Sequence, residues 1–130
     1  MKFICLGYFN PESFDAMSET TANAMFDECF AYDDILRANG HFTGGEALQR
    51  ADTAKFVRSK NGKVIVTDGP FVETKEMLGG ILILEARDMD HAVELMSKHP
   101  AARWGSSWEI RPTADLSEMM RASEQRRKKK

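Results

Sequence analysis

Apolar residues recur along this chain with two different periods, and each change of period marks a boundary between secondary-structure elements. Alternating or continuous apolar residues predict strands at residues 2–9 and 81–86. Apolar residues spaced by three and four predict a long helix at residues 12–39 and a shorter one at residues 89–98. Asn61-Gly62 lies between two strand-like runs and predicts a β-hairpin turn.

The remaining segments complete the order of elements. Strands are predicted near residues 53–59, 63–67 and 107–111, and Asp115 followed by Glu118 resembles a capping box that starts a final short helix. The order is β, α, β-hairpin, β, α, β and a tail helix. This order predicts an α+β, ferredoxin-like fold with an antiparallel sheet, two main helices on one face and a C-terminal helical tail.

The first strand is apolar on both of its sides, which affects the assembly expected of the chain. Phe3, Cys5 and Phe9 point to one side, and Ile4, Leu6 and Tyr8 point to the other. Two main helices can cover only one face of the sheet. We therefore expect the open face to be buried against the same face of a second copy, giving a homodimer with packed sheets.

Composition and charge narrow the class of protein. The chain has 130 residues, 42% of them hydrophobic and 29% charged, and a net charge of −2. These values fit one soluble domain and give no general attraction to nucleic acid or to an anionic membrane. Met1-Lys2 leads directly into a strand pattern, so we expect a cytoplasmic protein.

The sequence offers no pattern typical of a metal or cofactor site. Cys5 and Cys29 occupy apolar positions and are expected to be buried free thiols. Cys-x-x-Cys and Cys/His clusters are absent, as are the glycine-rich, Gly-x-Ser-x-Gly and His-Glu-x-x-His motifs. We expect no metal and no cofactor.

Residues 66–80 carry more chemistry than a strand connection needs. The strand stops at Asp68 because Gly69-Pro70 breaks it, and this turn fixes the Asp68 carboxylate at the strand end. Two interpretations follow. Asp68 is a turn residue, which the residues alone favour, or it lines a pocket beside the exposed Phe71.

The same segment resembles the signature of the YCII-related, or DGPF-domain, family. The similarity covers residues 2–113, nearly the whole chain, and the segments that carry it are Asp68-Gly69-Pro70-Phe71, Glu73, Lys75-Glu76, Leu78-Gly79-Gly80, Gly40-His41, Gly44-Gly45-Glu46-Ala47-Leu48-Gln49, Thr53-Ala54, Pro100-Ala101-Ala102-Arg103 and Glu109-Ile110-Arg111-Pro112. We therefore divide the chain into a YCII-related domain at residues 1–113 and a C-terminal helical extension with a basic tail at residues 114–130.

The resemblance implies a dimeric α/β barrel and leaves the function open. Most members of the family are uncharacterised, and some are associated with extracytoplasmic-function sigma factors. A relative in the wider superfamily is a dehydrochlorinase acting on a chlorinated aromatic, the fold resembles muconolactone isomerase, and a His–Asp pair has been proposed as an active site in the broader group. The expected function is binding of a small organic molecule, with cofactor-independent lyase or isomerase chemistry. The alternative is a non-catalytic ligand-binding or regulatory module linked to a sigma-factor system.

Asp68 and His41 are the predicted catalytic residues. Proton transfer needs one group that takes a proton and another that returns it, and an unperturbed histidine titrates near neutrality. The alternative for His41 is a partly exposed residue just past the end of a helix.

The predicted substrate-binding residues are Phe71 as an aromatic wall, Glu73 and Lys75 as polar contacts, and Arg58 as a carboxylate anchor. The alternative interpretation is that the loop residues are solvated and that Arg58 points outward. His99, which precedes Pro100, is interpreted as a cap at the end of the helix over residues 89–98.

Overall fold

The computed structural model describes residues 1–69 and 75–129, and the elements below belong to these ranges. The strands are β1 (Lys2–Phe9), β2 (Phe42–Ala47), β3 (Lys55–Lys60), β4 (Lys63–Asp68), β5 (Met77–Glu85) and β6 (Ser107–Pro112). The helices are α1 (Pro11–Asp15), α2 (Glu19–Ala38), α3 (Met89–Ser97), α4 (Pro100–Arg103) and α5 (Ser117–Lys128), with a 3₁₀ turn at Ala51–Thr53.

Four strands form one antiparallel sheet in the order β2-β5-β1-β6, and β3 and β4 form a separate hairpin. Asn61 and Gly62 form the hairpin turn with φ of 52° and 77°. Both values lie in the left-handed region that Asn-Gly adopts in a two-residue turn. The predicted α+β architecture with an antiparallel sheet is confirmed, and so is the hairpin.

The prediction of one helix over residues 12–39 is wrong. The segment forms α1 and α2, separated by Ala16–Ser18. The break arises because Ser18 adopts an extended conformation and its hydroxyl oxygen accepts the backbone N–H of Thr21 at 3.1 Å, which starts a new helix. Asn10 caps α1 in the same way, accepting from Glu12 at 2.9 Å.

The core lies between one face of the sheet and the helices α2 and α3. Alternation along β1 and β5 turns one set of side chains toward these helices, and most of this set is fully enclosed. The core consists of Phe3, Cys5, Leu36, Leu82, Leu84, Ala86, Ala92 and Met96. The two main helices, α2 and α3, therefore lie on one face of the sheet, as predicted.

The opposite face of the sheet carries Ile4, Leu6, Ile81 and Ile83, which are each only partly buried. We call this surface the open sheet face. Its apolar character agrees with the alternation of the strands.

The tail also differs in detail from the prediction. Helix α5 begins at Ser117 with Leu116 in the capping position. Asp115 accepts the backbone N–H of Ser117 at 2.9 Å, so it closes a turn before the helix instead of capping it. The basic tail is helical as far as Lys128.

Replacing Leu84 by alanine should destabilise the fold strongly. Leu84 is fully buried in the core, and its truncation leaves a cavity that the rigid sheet cannot close. We expect a loss of about 2–5 kcal/mol in the free energy of unfolding, measured by urea denaturation. Leu116→Ala, at a half-exposed site, is the control and should stay within about 0.5 kcal/mol of the wild type.

The two cysteines should differ in reactivity. Burial raises the pKa of Cys5 from 9.0 to about 11. Burial and the nearby carboxylates of Asp33 and Glu28 also raise the pKa of Cys29, but this thiol is only half-buried on α2. Iodoacetamide at pH 8 should therefore alkylate Cys29 first, because Cys5 is both enclosed and protonated. Mass spectrometry of native protein would show this order, Cys29→Ser should remove the fast phase, and unfolded protein should lose the difference. Equal native rates would contradict the burial of Cys5.

Candidate active site

One row of the main sheet lacks the side chains that would fill the space under α2. The row crosses all four strands through directly paired residues: Trp108 faces Gly7, Gly7 faces Gly80, and Gly80 faces Ala47. Along the row, the indole of Trp108 is therefore followed by two glycines and by the methyl group of Ala47. The Trp108 indole lies over Gly7, since a Cβ there would stand 2.9 Å from its ring, and a cavity remains beside the indole, between the rest of the row and α2.

We call this space the dyad cavity. Its volume is about 550 Å³, and the four residues of the row line it. Asp33 and Arg37 of α2 face it from the other side, and His99 closes one end. The volume lies within the range of small-molecule sites.

His99 and Asp33 form a hydrogen-bonded pair at the wall of the dyad cavity. The distance from Nε2 of His99 to Oδ1 of Asp33 is 2.9 Å. The backbone N–H of Ala101 donates to Nδ1 of His99 at 3.2 Å, so Nδ1 is an acceptor and the ring proton lies on Nε2. The neutral ring therefore donates to the Asp33 carboxylate and fixes its orientation.

Neighbouring aromatic rings hold His99 in place. Its side chain is 4% exposed, and Tyr32 and Trp108 contact it edge-to-face at centroid distances of 5.5 and 5.0 Å. Asp33 is 22% exposed, so its carboxylate remains open to the cavity. The pair thus combines a rigid, buried ring with an accessible oxygen.

Arg37 supplies a cation on the same helix, one turn after Asp33. Its guanidinium lies 4.4 Å above the centre of the Phe42 ring and donates to Asp34 at 2.8 Å. The remaining N–H groups can donate to an oxygen that becomes negative on a bound molecule.

A second cavity, which we call the arginine cavity, adjoins the first. Its volume is about 680 Å³, and both cavities share the lining residues Phe9, Gly79, Ala101 and Ser106. Arg50 lies at the wall of the arginine cavity, beside the rings of Phe9 and Phe14 at 5.8 and 5.7 Å. The wall is therefore largely aromatic, with a fixed cation at its edge.

Arg50 is held by two hydrogen bonds to Asp15, of 2.6 and 3.1 Å. The guanidinium lowers the pKa of the Asp15 carboxyl below its usual value. Since the lowered pKa belongs to the folded state, this pairing favours folding at neutral pH. The contribution is lost as the pH falls through the lowered pKa.

The predicted catalytic residues lie in different parts of the fold. Asp68 ends β4 of the hairpin, where its carboxylate pairs with Lys55 and is 79% exposed. His41 precedes β2, and its Nδ1–H donates to the carbonyl oxygen of Glu85 at 2.9 Å while its ring contacts His91. Neither residue lines either cavity.

The predicted binding residues have different outcomes. Lys75 lines the arginine cavity together with Glu76, and Arg58 is exposed on β3. Phe71 and Glu73 lie outside the described residues. The site assignments made from the sequence remain predictions.

Asp33 and His99 were not predicted as a site. Sixty-six positions separate them, and the sequence gives no spacing signal over that distance. His99 was interpreted as a cap at the end of the helix over residues 89–98, whereas its side chain caps the start of α4 by accepting the Ala101 N–H. The pairing of its other ring nitrogen was not predicted either. The available signal was a histidine in an apolar context before Pro100, together with an acidic residue beside the apolar stripe of α2.

Two further searches of residues 1–69 and 75–129 give negative results. Three metal-binding side chains do not come together anywhere in these ranges. Every helix there is too short or too polar to cross a membrane.

Comparison with known proteins gives one matching family model, a curated relative and several structural neighbours. The model of the YCII-related domain matches residues 1–117. An uncharacterized protein of Rhizobium meliloti (strain 1021) is 37% identical over 65 residues, which is 47% of this chain and 50% of that protein. The match therefore spans about half the length of this curated relative.

One structural neighbour is 5-chloro-2-hydroxyhydroquinone dehydrochlorinase from Burkholderia phenoliruptrix AC1100, in complex with 2,5-dihydroxybenzoquinone. The TM-score is 0.53 at 17% sequence identity, over 88% of this chain and 94% of that one. At this identity the likeness concerns the fold alone. Since the family model covers residues 1–117 of 130, this chain belongs to the YCII-related family.

Proposed function

We propose that this protein binds a small planar organic molecule in the dyad cavity and catalyses a cofactor-independent proton transfer of the lyase or isomerase kind. One observation carries the proposal. A buried histidine with a fixed tautomer holds the carboxylate of Asp33 at 2.9 Å, on the wall of a cavity of about 550 Å³. A carboxylate that is oriented and still accessible is suited to act as a general base.

In the proposed reaction Asp33 removes a proton from a C–H or O–H group of the bound molecule. The electron pair of the broken bond stays on the molecule as an enolate or phenolate, and Arg37 stabilises the oxygen that becomes negative. In an isomerase, protonated Asp33 returns the proton to another carbon. In a lyase, a leaving group departs with an electron pair instead. His99 is the positioning residue in both cases.

The shape of the two cavities indicates the class of molecule. The dyad cavity accommodates one aromatic ring, and the arginine cavity can hold an apolar substituent beside Arg50 and Lys75. The neighbouring fold that holds 2,5-dihydroxybenzoquinone supports a choice of single-ring oxygenated compounds as probes.

We assign the base to Asp33 in preference to Asp68 or His41. Asp33 is the carboxylate that combines a buried partner with access to a cavity. In a single copy, Asp68 pairs with Lys55 on an exposed hairpin face.

The second candidate function is ligand binding without turnover, as in a regulatory module. The observation that favours it is that both ring nitrogens of His99 are already bonded inside the protein, to Asp33 and Ala101. Such a ring cannot exchange protons with a ligand without losing one of these bonds. Measurements of turnover distinguish the two functions.

Asp33→Asn should separate binding from proton transfer. Asparagine keeps an oxygen that can accept from Nε2 of His99, so the fold and the cavity should persist, but the amide cannot act as a base. We expect the exchange of ring hydrogens for deuterium in resorcinol or 2,5-dihydroxybenzoquinone, followed by NMR in D₂O, to slow by at least about a hundredfold. The dissociation constant, measured by calorimetry, should change by less than about threefold.

Asp27→Asn is the matched control, because Asp27 is an exposed carboxylate on the same helix and lines neither cavity. It should leave exchange and binding unchanged.

Ala47→Phe places a ring in the dyad cavity and should abolish binding while the protein stays folded. If the probe still binds to the Ala47→Phe variant, the ligand site lies outside the dyad cavity. Exchange as fast in Asp33→Asn as in the wild type would exclude Asp33 as the base.

We also propose that the chain forms a homodimer through the open sheet face. Ile4, Leu6, Ile81 and Ile83 form an apolar surface on the side of the sheet opposite α2 and α3. Surfaces of this kind mark contacts between subunits.

Light scattering at micromolar concentration should give the mass of a dimer, about twice 14.7 kDa. Ile83→Lys should shift the protein toward the monomer, because the charge would be buried at the contact. A wild-type protein that scatters as a monomer would contradict this assembly.

A further inference from the structure

Two exposed phenyl rings of α2 lie on the walls of the two cavities. Phe26 is 38% and Phe30 is 62% exposed, and their rings stack with centroids 6.1 Å apart and planes inclined by 14°. Phe26 lines the arginine cavity, Phe30 lines the dyad cavity, and neither ring belongs to the core. Large apolar side chains that stay exposed on the wall of a cavity are typical of a ligand site.

The stacked pair is part of a row of four contacting rings. The Phe14 ring of α1 lies 5.8 Å from that of Phe26, and the Phe9 ring of β1 lies 6.1 Å from that of Phe14, measured between centroids. Phe14 lines the arginine cavity, and Phe9 lines both cavities. We call Phe9, Phe14, Phe26 and Phe30 the aromatic wall. It extends along the arginine cavity and reaches the dyad cavity at both of its ends.

Small side chains line the passage between the two cavities. Of the described residues that line both, Gly79, Ala101 and Ser106 are small, and Phe9 is large. A Cβ at Gly79 would stand 2.8 Å from the Phe9 ring, so the missing side chain lets this ring lie against β5. One molecule can therefore occupy both cavities at the same time.

The arginine cavity suits an apolar ring better than an ion. Met17 and Met25 add to its lining, and thioethers make favourable contacts with aromatic rings. The charge of Arg50 is balanced by Asp15, which accepts two of its hydrogen bonds. The other charged side chains described in the lining have opposite signs and are Lys75 and Glu76.

We propose that the ligand has two aromatic rings, an oxygenated ring in the dyad cavity and an apolar ring in the arginine cavity. The inference rests on the proposed function and adds the substrate class, a hydroxylated biaryl. The apolar ring stacks on the aromatic wall, and the bond between the two rings passes Ala101. Because the apolar ring binds away from the reacting atoms, its contacts hold the oxygenated ring in place beside Asp33.

Resorcinol and 5-phenylresorcinol test the second ring, since they differ by one phenyl group. We expect 5-phenylresorcinol to have a dissociation constant at least about thirtyfold lower, measured by calorimetry, because its phenyl group leaves water for the aromatic wall. Phe26→Ala should weaken the binding of 5-phenylresorcinol about tenfold and change that of resorcinol by less than about threefold.

Ile35→Ala is the matched control, because Ile35 is an exposed apolar residue of the same helix and lines neither cavity. It should leave the dissociation constants of both compounds within about twofold of the wild type. Circular dichroism should show the native fold in both variants.

Protection of Cys29 locates the second ring in the wild-type protein. Cys29 lines the arginine cavity and does not line the dyad cavity. A concentration of 5-phenylresorcinol about ten times its dissociation constant should slow the alkylation of Cys29 by iodoacetamide about tenfold. Resorcinol at the same degree of saturation should not slow it.

The outcomes separate this inference from the proposed function. If resorcinol binds and exchanges its ring hydrogens, but 5-phenylresorcinol binds no more tightly and leaves Cys29 unprotected, the two-ring ligand is wrong and the proposed function stands. If 5-phenylresorcinol binds and protects Cys29 but no exchange depends on Asp33, the two-ring ligand stands and the proposed catalysis is wrong. A Phe26→Ala variant that weakens the dimer and leaves the affinity for 5-phenylresorcinol unchanged would assign the exposed rings to a subunit contact and overturn the inference.

Discussion

The helix-facing side of the main sheet is filled with side chains at one end, whereas at the other end two glycines and Ala47 leave space beside the Trp108 indole, and the candidate site depends on this contrast. At the filled end, Phe3 of β1 and Leu84 of β5 face each other and pack under α2 and α3. Toward the other end of the same strands, Gly7 faces Gly80. The same alternation that builds the core therefore also produces the cavity, since the strand register brings the two glycines together.

Because few side chains fill the cavity, this region of the sheet buries little apolar surface and contributes little hydrophobic stabilisation. A buried polar pair closes that region. His99 and Asp33 join α4 to α2 across the end of the dyad cavity, and each ring nitrogen of His99 has a partner. A pair of this kind adds little net stability compared with apolar packing, but removing one partner leaves a buried polar group unsatisfied. Its position at a cavity is better explained by chemistry than by folding.

Apolar surface is exposed at two places on the strands that the structure describes. The open sheet face carries Ile4, Leu6, Ile81 and Ile83, and the hairpin β3–β4 exposes Val57, Val64 and Val66. The proposed homodimer would bury the first of these surfaces. Lys75, which follows the hairpin in the chain, lines the arginine cavity.

Local sequence alone determined much of the fold. Strand alternation, the Asn61-Gly62 turn and the order of elements predicted the α+β plan, because these signals depend on neighbouring residues. The break at Ser18 was missed because the apolar stripe continues past it, while the hydrogen bond of its hydroxyl begins a new helix. The family signature was likewise recognisable from consecutive residues.

The tertiary structure decided the candidate site. Asp33 and His99 come together only because α4 packs beside α2, and the dyad cavity exists only because Gly7 and Gly80 meet in one register. The sequence favoured Asp68 and His41, whose types suit acid–base chemistry, but residue type carries no information on distance. A chemical group becomes part of a site through long-range packing, and the local hydrogen bonds and periodicities that a sequence displays do not encode that packing directly.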